Sequence, residues 1–400
     1  MKALLKQSFD FIASYGFACI IFILLLILTF FGTLEQVHQG LYEVQKKYFE
    51  SMFVVHWMPV FGDFSLPIPL PGVYLLMVLF TVNLIAGGVV RIRKNKNTVG
   101  NLITHLGMLV MVFAAFVNYT FAEDGHMTLA ENEQASEFVS YYLWEIAIAQ
   151  PEEGQVAREM IVPHDSFAYV SYDDSPKTFA NATLPFDLSI TAFYPNSVPV
   201  GAGPFVQQTM KVVDGFALQE MDLDKEAERN VAGAYVLVKE KQSGATHEGI
   251  LWGLADAPWS VTIDGKKYTV DLRRKRYPLP FTIALDKFHQ ENHPGTGMAR
   301  MFMSEVTKIE ESGARTPVKI QMNEPLRHLG YTFYQASWQP ADPVRGTPVR
   351  STLAVVKNPS DQWPLYSCII ITIGLTIHFA GKLAKYIRSE NRKLATRKAT

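Results

Sequence analysis

The stretch Asn101–Phe116, NLITHLGMLVMVFAAF, decides how this chain is read. It is apolar enough to dissolve in lipid and stays largely so to Phe121, yet it carries an imidazole at position 105. A helix needs about 20 consecutive apolar residues to cover the hydrocarbon core of a bilayer. Four windows of the 400-residue chain qualify: 15–33, 72–90, 102–121 and 363–382. The sequence therefore predicts an integral membrane protein with four transmembrane α-helices. The first window exceeds the roughly 7–15 apolar residues of a signal peptide, and no small-x-small cleavage site follows it, so it is expected to stay as an anchor.

Orientation follows from the short basic flanks. Lys2 and Lys6 precede the first window, and Arg91, Arg93, Lys94 and Lys96 separate the second from the third. The tail carries Lys382, Lys385, Arg388, Arg392, Lys393, Arg397 and Lys398. The loop 34–71 holds only Lys46 and Lys47, beside Glu35, Glu43, Glu50 and Asp63. Both termini are thus expected on the cytoplasmic side. Residues 1–121 would form a membrane domain with outer loop 34–71, and 122–362 an extracytoplasmic domain. The fourth helix and a basic cytoplasmic tail would occupy 363–400.

In the outer segment the period changes. FDLSITAFY, AYVLVKE, SVTIDGKKYTVDL, PFTIALDKF, PVKIQM, YTFYQASW and STLAVVK alternate apolar and polar residues, as half-buried strands do. Asp264-Gly265 between two such runs is a strong hairpin signal. The expectation is one large, mostly-β antiparallel sandwich or barrel-like domain between helices three and four, in one or two lobes, with a short helix near LDKEAER. Cys19 and Cys368, the two cysteines, both lie in apolar windows. The outer domain therefore has no disulfide, no CxxC redox pair and no covalent haem site. With 37 basic and 38 acidic residues, nothing points to nucleic acid.

Ionisable residues inside a membrane are functional candidates by default. His105 lies near the start of the third helix and His378 near the end of the fourth, so antiparallel helices would put them at similar depth, as paired ligands would lie. No Asp or Glu falls inside the four windows, which argues against a proton relay, and structural zinc would want more ligands. Haem needs only one or two axial ligands and an apolar slot. Met108, Leu109 and Val112 share a helix face with His105; Gly107, Gly374 and Gly381 would admit a flat macrocycle. The plainer reading, that both histidines are interhelical hydrogen-bonding residues with Asn83 as partner, stands beside it.

Three stretches resemble one family: FGTLEQVHQGLYEVQKKYFES after the first helix, THLGMLVMVFAAF in the third, and IQMNEPLRHLGYTFYQASW before the last. They are similar to ResB (CcsB) proteins of system II cytochrome c biogenesis, which share the layout of three helices, an outer β domain and one helix. The resemblance is specific in the first outer turn and in Asn323–Trp338, and vague from about Pro151 to Val270. It implies a non-catalytic or half-site subunit in a bacterial inner (cytoplasmic) membrane, its large domain on the periplasmic face. With a CcsA/ResC-type partner, such a subunit exports haem b and supports its attachment to the CxxCH of apocytochrome c. By position His105 resembles the family's transmembrane histidine, an axial ligand of haem iron, and His378 is a second cofactor-binding candidate. The scattered tryptophans lack the partner's Trp-rich motif. RRKR at 273–276 could meet haem propionates or an acidic partner but reads more plainly as a solvated face; His38, His56 and His126 just outside the windows could serve a departing haem but read more plainly as surface residues. Two rivals remain: a b-type electron carrier ligated by His105 and His378, and a cofactor-free scaffold.

Overall fold

The computed structural model describes residues 2–61, 64–151, 159–171, 175–203, 206, 210–296, 299–342, 344 and 346–399; Asp63 lies outside them. The chain forms two compact units, residues 1–122 with 358–400, and residues 123–357.

The first unit opens with helix α1 (Lys2–Ile12), which the windows did not announce. Extended Ser14 ends it, and the Ser14 Oγ accepts from the Phe17 amide at 3.1 Å to cap α2 (Tyr15–Gln39). Gly40, at φ +80°, stops α2 in a conformation other residues resist. A short helix α3 (Leu41–Val44) and a π turn (Gln45–Phe49) lead into a hairpin of β1 (Phe53–Phe61) and β2 (Phe64–Pro71). Pro67, Pro69 and Pro71 face Trp57, Val55 and Phe53 across it. All three fall at positions of one parity, so β2 loses no ladder donor to proline. Then come α4 (Val73–Asn83), which continues as a π-helical stretch (Leu84–Val90), α5 (Val99–Phe121) and α6 (Trp363–Ala399).

Among the described residues, four helices are long and apolar enough to cross a membrane: Tyr15–Gln39, Val73–Val90, Val99–Phe121 and Trp363–Lys393. Three of them overrun their apolar windows, because a helix goes on satisfying its backbone where polar side chains take over. Asn83 is buried, but its partner is not a histidine. Its Nδ2 donates to the Ile12 carbonyl at 2.6 Å and to Ser14 at 3.1 Å, satisfying the orphaned end of α1. Helices α5 and α6 meet along small residues. Ser367 Oγ donates to the Gly107 carbonyl at 2.7 Å, Ser360 Oγ to Ala114 at 2.9 Å, and Gly374 sits against Thr104.

The second unit is built of antiparallel strands. In chain order they are β3 (Glu123–Ala130), β4 (Gln134–Ala149), β5 (Glu159–Pro163), β6 (Lys177–Phe179), β7 (Phe186–Tyr194), β8 (Ser197–Gly201), β9 (Phe216–Glu220) and β10 (Gly233–Glu240). There follow β11 (Thr246–Trp252), β12 (Trp259–Ile263), β13 (Lys266–Asn292), β14 (Ala299–Glu310), β15 (Arg315–Gln321), β16 (Leu326–His328), β17 (Tyr331–Gln339) and β18 (Arg350–Lys357). The main sheet runs β15-β14-β13-β4-β3-β18-β17-β16, partly barrel-like, with β12 on β13 and β5 on β4. A second sheet is β11-β10-β7-β6. The helix expected near LDKEAER is one 3-10 turn, Ala227–Arg229.

Strand β13 serves two cores. Its first half puts Tyr268, Val270 and Leu272 among Ile146, Phe186 and Val236. Around a register shift between Pro278 and Ile283, Phe281, Ile283 and Leu285 join Phe138, Phe333 and Val355. The RRKR run lies just before that bend and is consumed by the fold. Arg273 Nε reaches Glu145 at 3.0 Å and its fork binds Glu159. Arg274 lies 4.2 Å over the Trp144 ring and donates to the carbonyls of Tyr141, Glu228 and Asn230. Lys275 lies over Tyr277, and Arg276 pairs with Glu137 at 3.3 Å. A solvated basic face is not what the run builds.

Candidate functional site

His105 lies in the second turn of α5. Its Nδ1 sits 2.6 Å from the carbonyl oxygen of Asn101, one turn back. A carbonyl only accepts, so Nδ1 carries the proton and the lone pair is on Nε2. Nε2 has no hydrogen-bond partner among the described residues. The ring lies against Gly88, inside the π-helical stretch of α4, where any Cβ would run into it. Widened π turns and bare glycines are how a helix admits such a group.

A groove of about 630 Å³ runs along α4 and α5, with neither His105 nor Gly88 in its lining. Tyr74, Val78, Thr81 and Ile85 line it from α4, Leu109, Val112 and Phe116 from α5, and Phe49 closes the far end. Gly88 lies three residues beyond Ile85 and His105 four before Leu109. Each continues its helix's groove-facing stripe by one turn. By helical spacing His105 thus lies one turn beyond the lining of an apolar slot whose size suits a large flat ligand.

His378 belongs to a different seam. Its backbone nitrogen and Cβ pack on Gly100, where an added Cβ would lie 2.6 Å and 2.9 Å away. Gly100, Thr104 and Gly107 form the stripe of α5 that meets α6; His105 is turned from Thr104 by about 100° around the helix, toward α4. The Nδ1 of His378 is buried without a hydrogen bond among the described residues, and Phe379 stands edge-on to the ring at 5.4 Å. Similar depth has not made the two histidines partners.

The lesser histidines divide. His38 is exposed on α2, and His126 is half-buried in β3 with an unpaired Nδ1. His56 is part of a cluster that spacing does not reveal. Its Nδ1 lies 2.6 Å from the Tyr48 hydroxyl, which also donates to Glu35, and Lys47 completes the ion pair with Glu35. Tyr48 is fully buried, and burial first and then the Glu35 carboxylate push its hydroxyl far above the usual phenol range. The signal was an acid just past the first apolar window facing a loop of two lysines, a tyrosine and a histidine; only the chain reversal at Gly40 shows that they meet.

Residues 260–352 match the ResB-like family, a span that includes the Asn323–Trp338 segment. That segment is ResB-like. A cytochrome c biogenesis protein CcsB of Prochlorococcus marinus (strain NATL1A) is 39% identical over 70 residues, 18% of this chain and 16% of the relative. CcsB of Synechococcus sp. (strain CC9902) is 31% identical over 128 residues, 30% of this chain and 28% of that relative. The matched stretches thus span less than a third of these relatives. The ResB-like segment runs from β12 to β18 in the β unit, whereas His105 and its groove lie in the helical unit.

Proposed function

We propose that this ResB-like membrane protein is a subunit of a cytochrome c biogenesis complex, in which His105 binds haem b within the membrane. Its work would be to hold haem during export toward the outer, periplasmic face and to support attachment to the CxxCH of apocytochrome c. A CcsA/ResC-type protein would be the partner, in a bacterial inner membrane with both termini cytoplasmic. One observation carries the reading: an imidazole of fixed tautomer, its Nε2 without a partner among the described residues, one helical turn beyond the lining of an apolar groove of about 630 Å³. The donor set suits the group, since haem asks one neutral imidazole nitrogen and a dry slot of this chain. When bound, the haem supplies the iron and the vinyl groups that a thiol adds to. The chain's own residues hold and orient it: Asn101 fixes the ring, Gly88 makes room, and the α4 and α5 side chains exclude water. No residue is assigned a catalytic role.

The b-type carrier needs His105 and His378 on one iron, and their separate seams speak against it. The test is an absorption spectrum of the full chain, alone and co-expressed with a CcsA-type partner. Haem absorption should fall in His105→Ala and survive in His378→Ala. Equal loss in both would favour the carrier, a colourless protein even with the partner would leave the scaffold, and an unchanged His105→Ala spectrum would make His105 a packing residue.

A further inference from the structure

The loop from α4 to α5 reads RIRKNKNT over residues 91–98, and its first charge is spent inside the protein. Arg91 donates to the carbonyls of Asp10 and Ala13 at 3.5 Å and 3.4 Å, tying the end of α1 to the end of α4. Beyond it the loop holds its own shape. Thr98 Oγ1 donates to the Arg93 carbonyl and accepts from the Asn95 amide at 3.2 Å, while Asn95 Oδ1 accepts from the Asn97 amide at 2.8 Å. Those polar groups are used up by the loop, so what it still offers is charge.

Lys94 and Lys96 bring that charge to a cavity of about 310 Å³, with Asn95 and Thr98 beside them and Val99 and Leu102 of α5 as its apolar wall. Neither ammonium has an ion-pair partner among the described residues, and the sequence holds no Asp or Glu between Asp63 and Glu123. The end of α6 adds charge of the same sign. His378 packs on Gly100, so Lys382 and Lys385, one and two turns further along α6, emerge at the end of the seam where α5 starts. Like charges sharing one hollow repel, and an anion between them relieves the repulsion. A simple anion would leave the Val99 and Leu102 wall unused. An amphiphile with an anionic head matches both sides: its phosphate meets the lysines, and its first methylenes meet the wall of a helix apolar enough to cross a membrane.

We propose that this cavity binds the headgroup of an anionic phospholipid, held by Lys94 and Lys96 and seated on Val99 and Leu102. The site does not depend on haem binding. Its lipid would clasp the loop that joins the Gly88 end of α4 to the first turns of α5, which carry His105.

The test is native mass spectrometry of the full chain in neutral detergent, with phosphatidylglycerol, phosphatidylcholine or inorganic phosphate added. Phosphatidylglycerol should bind more tightly than phosphatidylcholine, and the preference should shrink as ammonium acetate is raised. Lys94→Gln combined with Lys96→Gln should weaken phosphatidylglycerol by about fivefold for each lysine and leave phosphatidylcholine as it was. Lys94→Arg with Lys96→Arg should keep the preference, because the charge stays. Lys2→Gln with Lys6→Gln takes the same charge from α1, outside the cavity lining, and should keep it too. Equal weakening in the two glutamine pairs would overturn the proposal, since a diffuse basic surface would then suffice. So would phosphatidylglycerol bound no more tightly than phosphatidylcholine, or displaced by inorganic phosphate at matching concentration. Unchanged phosphatidylglycerol binding in the Lys94 and Lys96 glutamine pair, with loss of ferric protoporphyrin binding, would overturn it in favour of haem carboxylates.

Discussion

Gly88 carries a hydrogen where nearly every other residue carries a carbon, and this lets His105 lie against α4. A Cβ there would come 2.7 Å from the imidazole Cγ and 3.1 Å from its Cβ, closer than atoms in contact settle. Gly88→Ala should therefore push the ring out of line with the groove. Overpacking of this kind costs about 1–3 kcal/mol, and the haem spectrum should weaken as it does in His105→Ala. Gly16→Ala is the control, since a Cβ there meets Ser14 Oγ at an ordinary 3.8 Å. It should leave spectrum and melting temperature as they were, and an equal loss in both variants would show that His105 does not depend on Gly88. The sequence exposed His105 and His378 because an imidazole stands out among leucines and valines. It did not separate them: which seam each enters depends on where α4 and α6 lie around α5. His56 was in view only as a loop histidine, because its partners stand 8 and 21 residues away and converge through a chain reversal.

Among elements, the α5–α6 seam depends most on small side chains. With no water to expel, helices in lipid associate by close packing and by hydrogen bonds such as those from Ser360 and Ser367. Gly100 holds a close approach, where an added Cβ would stand 2.6 Å from the Gly374 carbonyl oxygen, backbone that cannot step aside. Gly100→Val should part the helices at this end and lower the melting temperature of the detergent-solubilised chain, at a cost of about 1–3 kcal/mol. Ser367→Ala removes one buried hydrogen bond and should cost about 1 kcal/mol. If Gly100→Val melts like wild type, the seam is not closed there. The helices and strands were legible because period 3.6 and period 2 leave different marks, and Asp264-Gly265 does form the two-residue turn it announced, at φ +52° and +73°. What the pattern hid was α1, too short and too polar for a membrane window. The bend in β13 did leave a mark: the apolar positions run 268, 270 and 272, then resume at 277, 279, 281, 283 and 285, a change of parity across RRKR where the strand passes from one core to the other.

At the scale of the molecule, the titratable groups of the β unit set a direction for acid sensitivity. His126 has its ring nitrogen buried, and burial first, then the Arg274 charge, hold its pKa below the ordinary 6.5. The unfolded chain therefore binds the proton first. Stability from this group is complete above pH 6.5 and is lost as pH falls through the window below it. Glu159 is lowered from 4.5 chiefly by its hydrogen bonds to Arg273, so its contribution is present above pH 4.5 and lost only as pH falls further. Glu305 and Glu310, lowered first by Lys319 and Lys308, act in the same sense. The two windows predict a two-stage decline in the melting temperature of the full chain, beginning below pH 6.5 and steepening below 4.5. His126→Leu should flatten the first stage and spare the second, because the lowered Glu159, Glu305 and Glu310 lose their contribution only below 4.5. Arg273→Met should do more than tilt the second stage. Glu145 is nearly buried and would lose a charged partner 3.0 Å away, and breaking a buried pair from one side costs about 3–5 kcal/mol. That loss should appear at neutral pH as well, where a purely surface pair would show almost none. A flat profile between pH 6.5 and 4.5 in the wild type would mean that His126 finds a proton partner when it charges, and the first stage would be gone.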